Sequence, residues 1–145
     1  MAVNIQTIKD IHTFLCDELK DIYPENEIDA MARVIIRTIT GTARSIQFYE
    51  RDMPVKPETV KEIREIGSEL KKGKPLQYIL GETTFYNCTI RLNNETLIPR
   101  PETEELVDLV IKENNLFNGI ILDLCTGSGC IAIALASNLP DAGIL

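Results

Sequence analysis

The chain has 145 residues, 44% of them hydrophobic and 26% charged, with 15 Lys+Arg against 22 Asp+Glu for a net charge of −7. This is ordinary globular composition, which excludes a disordered, collagen-like or coiled-coil chain, and the length suits one typical domain or two small ones. The acidic balance, with a pI near 4.8, argues against a phosphate-neutralising surface, so nucleic acid is not an expected partner.

In chain order, Ile5, Ile8, Ile11, Leu15, Leu19 and Ile22 recur at steps of three and four, which predicts a first helix ending before Pro24. His12 falls on the polar side of that helix beside Ile11 and reads as a surface residue. Asn26 is the expected cap of a second helix, with Ile28, Met31, Ile35 and Ile39 as its apolar face and Gly41 as its stop. Ser45 is the expected start of a short third. Pro57 suits the first turn of a longer helix that carries Val60, Ile63, Gly67 and Leu70 and closes at Gly73. The expectation for residues 1–75 is a small all-α bundle.

Near Pro75 the composition shifts. Residues 1–75 carry 12 Lys+Arg and 13 Asp+Glu, whereas residues 76–145 carry 3 and 9, so almost all the acidic excess lies in the second half. Thr83 to Tyr86 and Thr89 to Leu92 are β-branched or aromatic around Asn87 and Cys88, the pattern of a β-hairpin in which Phe85 and Tyr86 serve packing. In Leu97-Ile98-Pro99-Arg100-Pro101 two prolines hold an extended segment and the second opens a helix. Glu102, Glu104 and Glu105 complement the positive end of that helix, and Leu106, Leu109 and Val110 form its expected buried face.

The stretch from Gly119 to Ser137 carries the most chemistry. Ile120 to Leu122 make a continuously apolar strand of the kind buried in a parallel sheet, and Ile131 to Ala136 make a small-residue helix able to pack on it. The turn between them contains Gly127 and Gly129, which let backbone approach a ligand closely while the following helix aims free N–H groups outward. Gly127-Ser128-Gly129-Cys130-Ile131-Ala132 matches a dinucleotide fingerprint, but Asp123 stands at the strand end, where a nicotinamide site usually has apolar residues. A carboxylate there suits the amino group of S-adenosylmethionine.

Lys74-Pro-Leu-Gln-Tyr-Ile-Leu-Gly81, Phe85-Tyr86, Leu97-Ile-Pro-Arg-Pro-Glu-Thr-Glu104 and Ile121-Leu-Asp-Leu-Cys-Thr-Gly-Ser-Gly-Cys-Ile-Ala-Ile-Ala-Leu-Ala136 together resemble the HemK-type release factor glutamine methyltransferases. The resemblance spans essentially the whole chain in order. It implies an α/β protein in three parts: a helical substrate-recognition domain over 1–75, a linker with a β-hairpin over 76–100, and over 101–145 the start of a Rossmann-like methyltransferase domain. It further implies S-adenosyl-L-methionine as cofactor and a peptide chain release factor as protein substrate, methylated on the glutamine amide of its Gly-Gly-Gln motif during translation termination.

Carried over position by position, the cofactor loop falls on Asp123, Cys125, Thr126, Gly127, Ser128 and Gly129, with Arg100 and Thr103 beside the pocket. Cys125 departs from the glycine usual in the family, and a negative φ there would make the change tolerable. The family's Asn-Pro-Pro-Tyr tetrapeptide is not in these 145 residues, nor is the acidic ribose contact after the second strand. No catalytic residue is therefore assigned, and the chain is expected to be an inactive N-terminal part of a longer enzyme, with Ile120 to Leu122 and one side of the following helix exposed. A dinucleotide-binding oxidoreductase fragment and a non-enzymatic protein-interaction module are the alternative readings.

The sequence has no apolar run of about 18 residues and no basic-plus-apolar leader at its start, so a cytoplasmic protein without membrane contact is expected. Cys16, Cys88, Cys125 and Cys130 form no CxxC pair, so buried, inert reduced thiols are expected and no metal site is assigned.

Overall fold

The structure, a computed structural model, describes residues 4–41 and 52–145. The helix expected at Ser45 lies outside the described residues. The chain divides into two units, Met1–Leu80 and Gly81–Leu145.

In the first unit, α1 (Ile8–Leu19) starts at Thr7, whose side chain accepts from the Asp10 N–H while the Asp10 carboxylate accepts from the Thr7 N–H at 2.8 Å. This reciprocal capping box satisfies two donors that the helix start would otherwise leave bare. Ile5 belongs to the core but not to the helix. It lies in an extended segment held to the stretch before the third helix, with the Val55 N–H on Gln6 O at 2.8 Å and Thr7 bridged to Pro54. Ile22 lies beyond the helix end and is exposed, so the expected stripe is real only from Ile8 to Leu19.

α2 (Glu25–Thr40) begins after Pro24, not at Asn26. The fixed φ of proline with extended ψ sets up the first turn, and Glu25 and Glu27 complement its positive end. Gly41 ends the helix in the left-handed conformation, as its position predicts. α3 (Pro57–Lys71) has Pro57 in its first turn and buries Ile63, Ile66, Gly67 and Leu70. Gly67 is small because a Cβ there would stand 3.2 Å from the Phe14 ring of α1. A short α4 (Leu76–Leu80) completes the unit, with Leu76 in the core and Ile79 and Leu80 packed against it. This is why the division falls after Leu80 rather than at Pro75: the apolar side chains that follow the proline are part of the helical core.

In the second unit, β1 (Glu82–Phe85) and β2 (Cys88–Arg91) form an antiparallel hairpin with Phe85 opposite Cys88. The turn is Tyr86-Asn87, one residue earlier than the expected Asn87-Cys88. Both turn residues have positive φ, +45° and +62°, the twist that two-residue hairpins favour. α5 (Pro101–Glu113) begins at its proline as expected, but its buried face is different. Val107 is fully buried, whereas Leu106 and Leu109 are 50% and 51% exposed. β3 (Ile120–Ile121), α6 (Cys130–Asn138) and β4 (Gly143–Ile144) follow. β3 and β4 pair in parallel, Ile120 with Gly143 and Ile121 with Ile144, so the three elements form a β-α-β unit. α6 packs on α5 and β2, and Val107, Ala134, Leu135, Phe85 and Ile90 lie at the centre. The whole is an α/β protein with two small sheets.

Candidate functional site

The segment from Asp123 to Gly129 runs from the β3 side of the parallel pair to the start of α6. Its first residue is anchored by the ladder, since the Asp123 N–H donates to Leu145 O at 2.8 Å and the Leu145 N–H to Ile121 O at 2.9 Å. The chain then turns through three left-handed residues at alternate positions: Cys125 (φ +61°), Gly127 (φ +58°) and Gly129 (φ +74°). Thr126 fastens the turn, because its hydroxyl donates to Asp123 Oδ2 at 2.8 Å and its carbonyl accepts from the Gly129 N–H at 2.9 Å. Among the described residues, the other Asp123 oxygen accepts from no protein group.

Gly129 is the residue before α6, and the Ile133 N–H closes the first helical bond onto its carbonyl. The N–H groups of Cys130, Ile131 and Ala132 therefore stand at an open helix end, which favours an anionic or hydroxyl-bearing ligand. A Cβ on Gly127 would meet nothing within 4 Å, so that glycine serves conformation and leaves open space above the loop. Ser128 and Gly129 are partly buried and Cys125, Thr126 and Gly127 exposed. The expectation of buried thiols therefore holds for Cys130 alone: Cys125 lies on the open loop, and Cys16 and Cys88 are partly exposed.

The expectation of a negative φ at Cys125 is overturned. The turn between Asp123 and Gly127 drives this residue into the region where a Cβ crowds the following carbonyl, at a cost of about 1–2 kcal/mol. Arg100 is the exposed residue preceding α5, and the Thr103 N–H donates to its carbonyl at 3.0 Å. Glu104 has a role the sequence did not reveal: its carboxylate accepts the N–H of Tyr86 at 2.8 Å, pinning the hairpin turn to α5. The Tyr86 hydroxyl donates to Asp108 at 3.2 Å, and Lys112 pairs with the same carboxylate. The Lys112 ammonium, and after it the Tyr86 hydroxyl, holds the Asp108 carboxyl below the ordinary aspartate range.

One constellation in the first unit also escaped the sequence reading. His12 Nε2 lies 2.7 Å from Asp29 Oδ1, and Cys16 Sγ lies 3.7 Å from His12 Nδ1 and 3.9 Å from Nε2. His12 is on the surface as expected, 47% accessible, and is also half of a one-turn pair on α1. Burial, and then the charges of Asp29, Glu25 and Asp17, push the Cys16 thiol up. The i, i+4 spacing was visible in the sequence, whereas the third member, from α2, was not.

Residues 12–81 match the family described as the PrmC N-terminal domain. The release factor glutamine methyltransferase of Flavobacterium psychrophilum is 42% identical over 141 residues, covering 94% of this chain and 50% of that protein. Its namesake in Bacteroides thetaiotaomicron is 40% identical over 134 residues, covering 92% of this chain and 48% of the relative. The namesake in Streptococcus pneumoniae is 49% identical over 79 residues, which is 54% of this chain and 28% of that protein. The chain spans about half the length of the curated relatives it matches. Through its PrmC N-terminal domain and the segment that follows, the chain belongs to the release factor glutamine methyltransferase family.

Proposed function

We propose that the chain is the N-terminal part of an S-adenosylmethionine-dependent methyltransferase acting on the glutamine amide of the Gly-Gly-Gln motif in peptide chain release factors. The observation that carries this reading is the alignment with proteins of that name over 94% of the chain, a share that takes in the glycine loop. The β3-α6-β4 unit is read as the opening of a Rossmann-like sheet, and residues 1–80 as the part that recognises the release factor. No helix among the described residues is long and apolar enough to cross a membrane.

The loop suits the cofactor on physical grounds. Among the described residues, it offers a carboxylate oxygen of Asp123 that no protein group uses, open space over Gly127, and N–H groups at the start of α6 without a protein acceptor. Asp123 would hold the cationic amino end of the cofactor, and Gly127, Ser128 and Gly129 would let it lie against backbone. When bound, S-adenosylmethionine supplies an electrophilic methyl group on a sulfonium. Thr126, by holding one Asp123 oxygen, would fix the other toward the ligand. An amide nitrogen is a weak nucleophile, so transfer depends on exact placement and exclusion of water. By family resemblance, the Asn-Pro-Pro-Tyr group that would place the amide lies beyond this sequence.

The test uses tritiated S-adenosylmethionine and a release factor. The gene product extended to the length of its relatives is expected to label the factor, and a factor with the motif glutamine replaced by alanine is expected to stay unlabelled. The 145 residues alone are expected to give no label above background. Failure of the extended protein to label, or absence of Asn-Pro-Pro-Tyr within the residues that follow Leu145 in the gene, overturns the reading.

A further inference from the structure

We propose that His12, Cys16 and Asp29 form a binding site for a divalent transition metal of borderline softness, with Zn2+ the best match, that clamps α1 to α2. The three residues bring a thiol, an imidazole and a carboxylate together from two helices. Their potential ligand atoms all lie within 4.8 Å of one another. No comparable group of three occurs among the described residues.

The geometry follows from the fold. His12 and Cys16 are one turn apart on α1, so their side chains leave the same face, the spacing helical metal sites use. Asp29 reaches them because α2 packs on α1, with Ile11 and Leu15 of α1 and Ile28 and Ala32 of α2 buried in the same core. In a tetrahedral site with bonds of about 2.0–2.3 Å, ligand atoms stand about 3.3–3.7 Å apart. The sulfur already sits 3.7 Å and 3.9 Å from the imidazole nitrogens. The His12 to Asp29 contact, 2.7 Å, must open and the Asp29 oxygen must settle beside the sulfur, now within 4.8 Å of it; rotation of two partly exposed side chains, 47% and 35% accessible, provides that movement.

Chemistry points the same way. Thiolate with imidazole selects zinc, cobalt or copper over magnesium or calcium, which require oxygen donors. Asp29, Glu25 and Asp17 surround the sulfur with negative charge that attracts a cation. Three protein ligands leave a fourth position for water or for a group from a partner. Binding displaces the thiol proton of Cys16 to solvent, so affinity rises with pH. None of these residues belongs to the glycine loop, so the inference stands or falls independently of the proposed methyl transfer.

The experiment is a Co2+ titration of the full 145-residue chain under a non-thiol reductant, followed by displacement with Zn2+. One equivalent is expected to produce a saturable thiolate-to-cobalt charge-transfer band in the near ultraviolet, which Zn2+ removes. Cys16→Ser is expected to abolish the band although Cys88, Cys125 and Cys130 remain. Asp29→Asn is expected to weaken affinity about 100-fold, since loss of outer-shell partners alone costs about 10–100-fold. Saturating Zn2+ is expected to raise the melting midpoint of the parent chain by about 4 °C or more and that of Cys16→Ser by nothing. Circular dichroism confirms that each variant is folded, and Cys16→Ala replaces Cys16→Ser if the latter is not. No saturable band, a band that survives in the folded Cys16 variant, or parent-like affinity in Asp29→Asn overturns the proposal.

Discussion

At the scale of single residues, the glycine loop shows the difference between a pattern and a conformation. Gly127 and Gly129 are legible because a strand, a G-x-G and a small-residue helix occur in order, and the structure finds both in the left-handed region. Cys125 was not legible, because φ is set by the path between Asp123 and Thr126 and a cysteine carries no signal for it. Its positive φ gives a prediction. Cys125→Gly relieves about 1–2 kcal/mol of left-handed strain but adds unfolded-state freedom of about 0.4–1 kcal/mol, so a net gain between about 0 and 1.6 kcal/mol is expected in urea unfolding. Cys125→Val, β-branched at the same φ, is expected to destabilise. A second prediction concerns Asp108, whose carboxyl is held low by Lys112 first and Tyr86 second. A depressed carboxyl stabilises above the unfolded aspartate value of about 3.9, and that stabilisation is lost as pH falls through the lower folded value. Carboxyl-carbon NMR should show the Asp108 midpoint below that of a free aspartate, with Lys112→Met raising it more than Tyr86→Phe. An order reversed between the two variants would contradict the assigned causes.

At the scale of elements, caps and phases explain both agreement and error. Proline at the first turn of α3 and α5 and glycine after α2 predicted those ends because each residue's allowed φ admits few alternatives. The start of α1 was missed: Thr7 and Asp10 fit a capping box, but Ile5 continued the apolar rhythm and hid it. Thr7→Ala is therefore expected to cost about 1 kcal/mol, measured by thermal unfolding, and to increase fraying of the first turn of α1 by amide exchange. The phase of α5 was missed for another reason. Leu106, Val107, Leu109 and Val110 offer two overlapping apolar stripes, and periodicity alone does not choose between them. The tie is broken by Glu104 and Asp108, whose bonds to Tyr86 turn α5 toward the hairpin and carry Val107 inward. Tyr86 itself, a bulky residue at φ +45°, is held by those same two carboxylates, so strain in the turn is offset by hydrogen bonds.

At the scale of the whole molecule, the two units differ in how completely they bury their apolar residues. The helical unit has a continuous core from Ile5 to Leu76, and its last helix belongs to it. A polypeptide of residues 1–80 is accordingly expected to melt cooperatively with a helical circular dichroism signal. Ending it at residue 75 removes Leu76 and the packing of Ile79 and Leu80, a loss of about 2–3 kcal/mol. Equal midpoints for the two lengths would show that α4 adds nothing to the core.

The second unit is only partly covered. Parallel strands are ordinarily buried on both faces, yet Leu122 and Leu124 are 61% and 76% exposed, and Leu116, Ile120 and Leu145 are exposed as well. The β3-β4 ladder is two residues on each strand, with few buried contacts to resist opening, whereas α1 is closed against α2 and α3 by Ile11, Leu15 and Leu19. Local opening free energy follows such burial. Hydrogen exchange read by mass spectrometry should therefore find the amides of Asp123, Gly143 and Leu145, all ladder donors, exchanging much faster than those of Leu15 and Leu19. If the ladder amides prove as slow as those of α1, the apolar surface around Leu122 and Leu124 is covered in solution, and self-association of the chain through that face becomes the explanation to test by sedimentation.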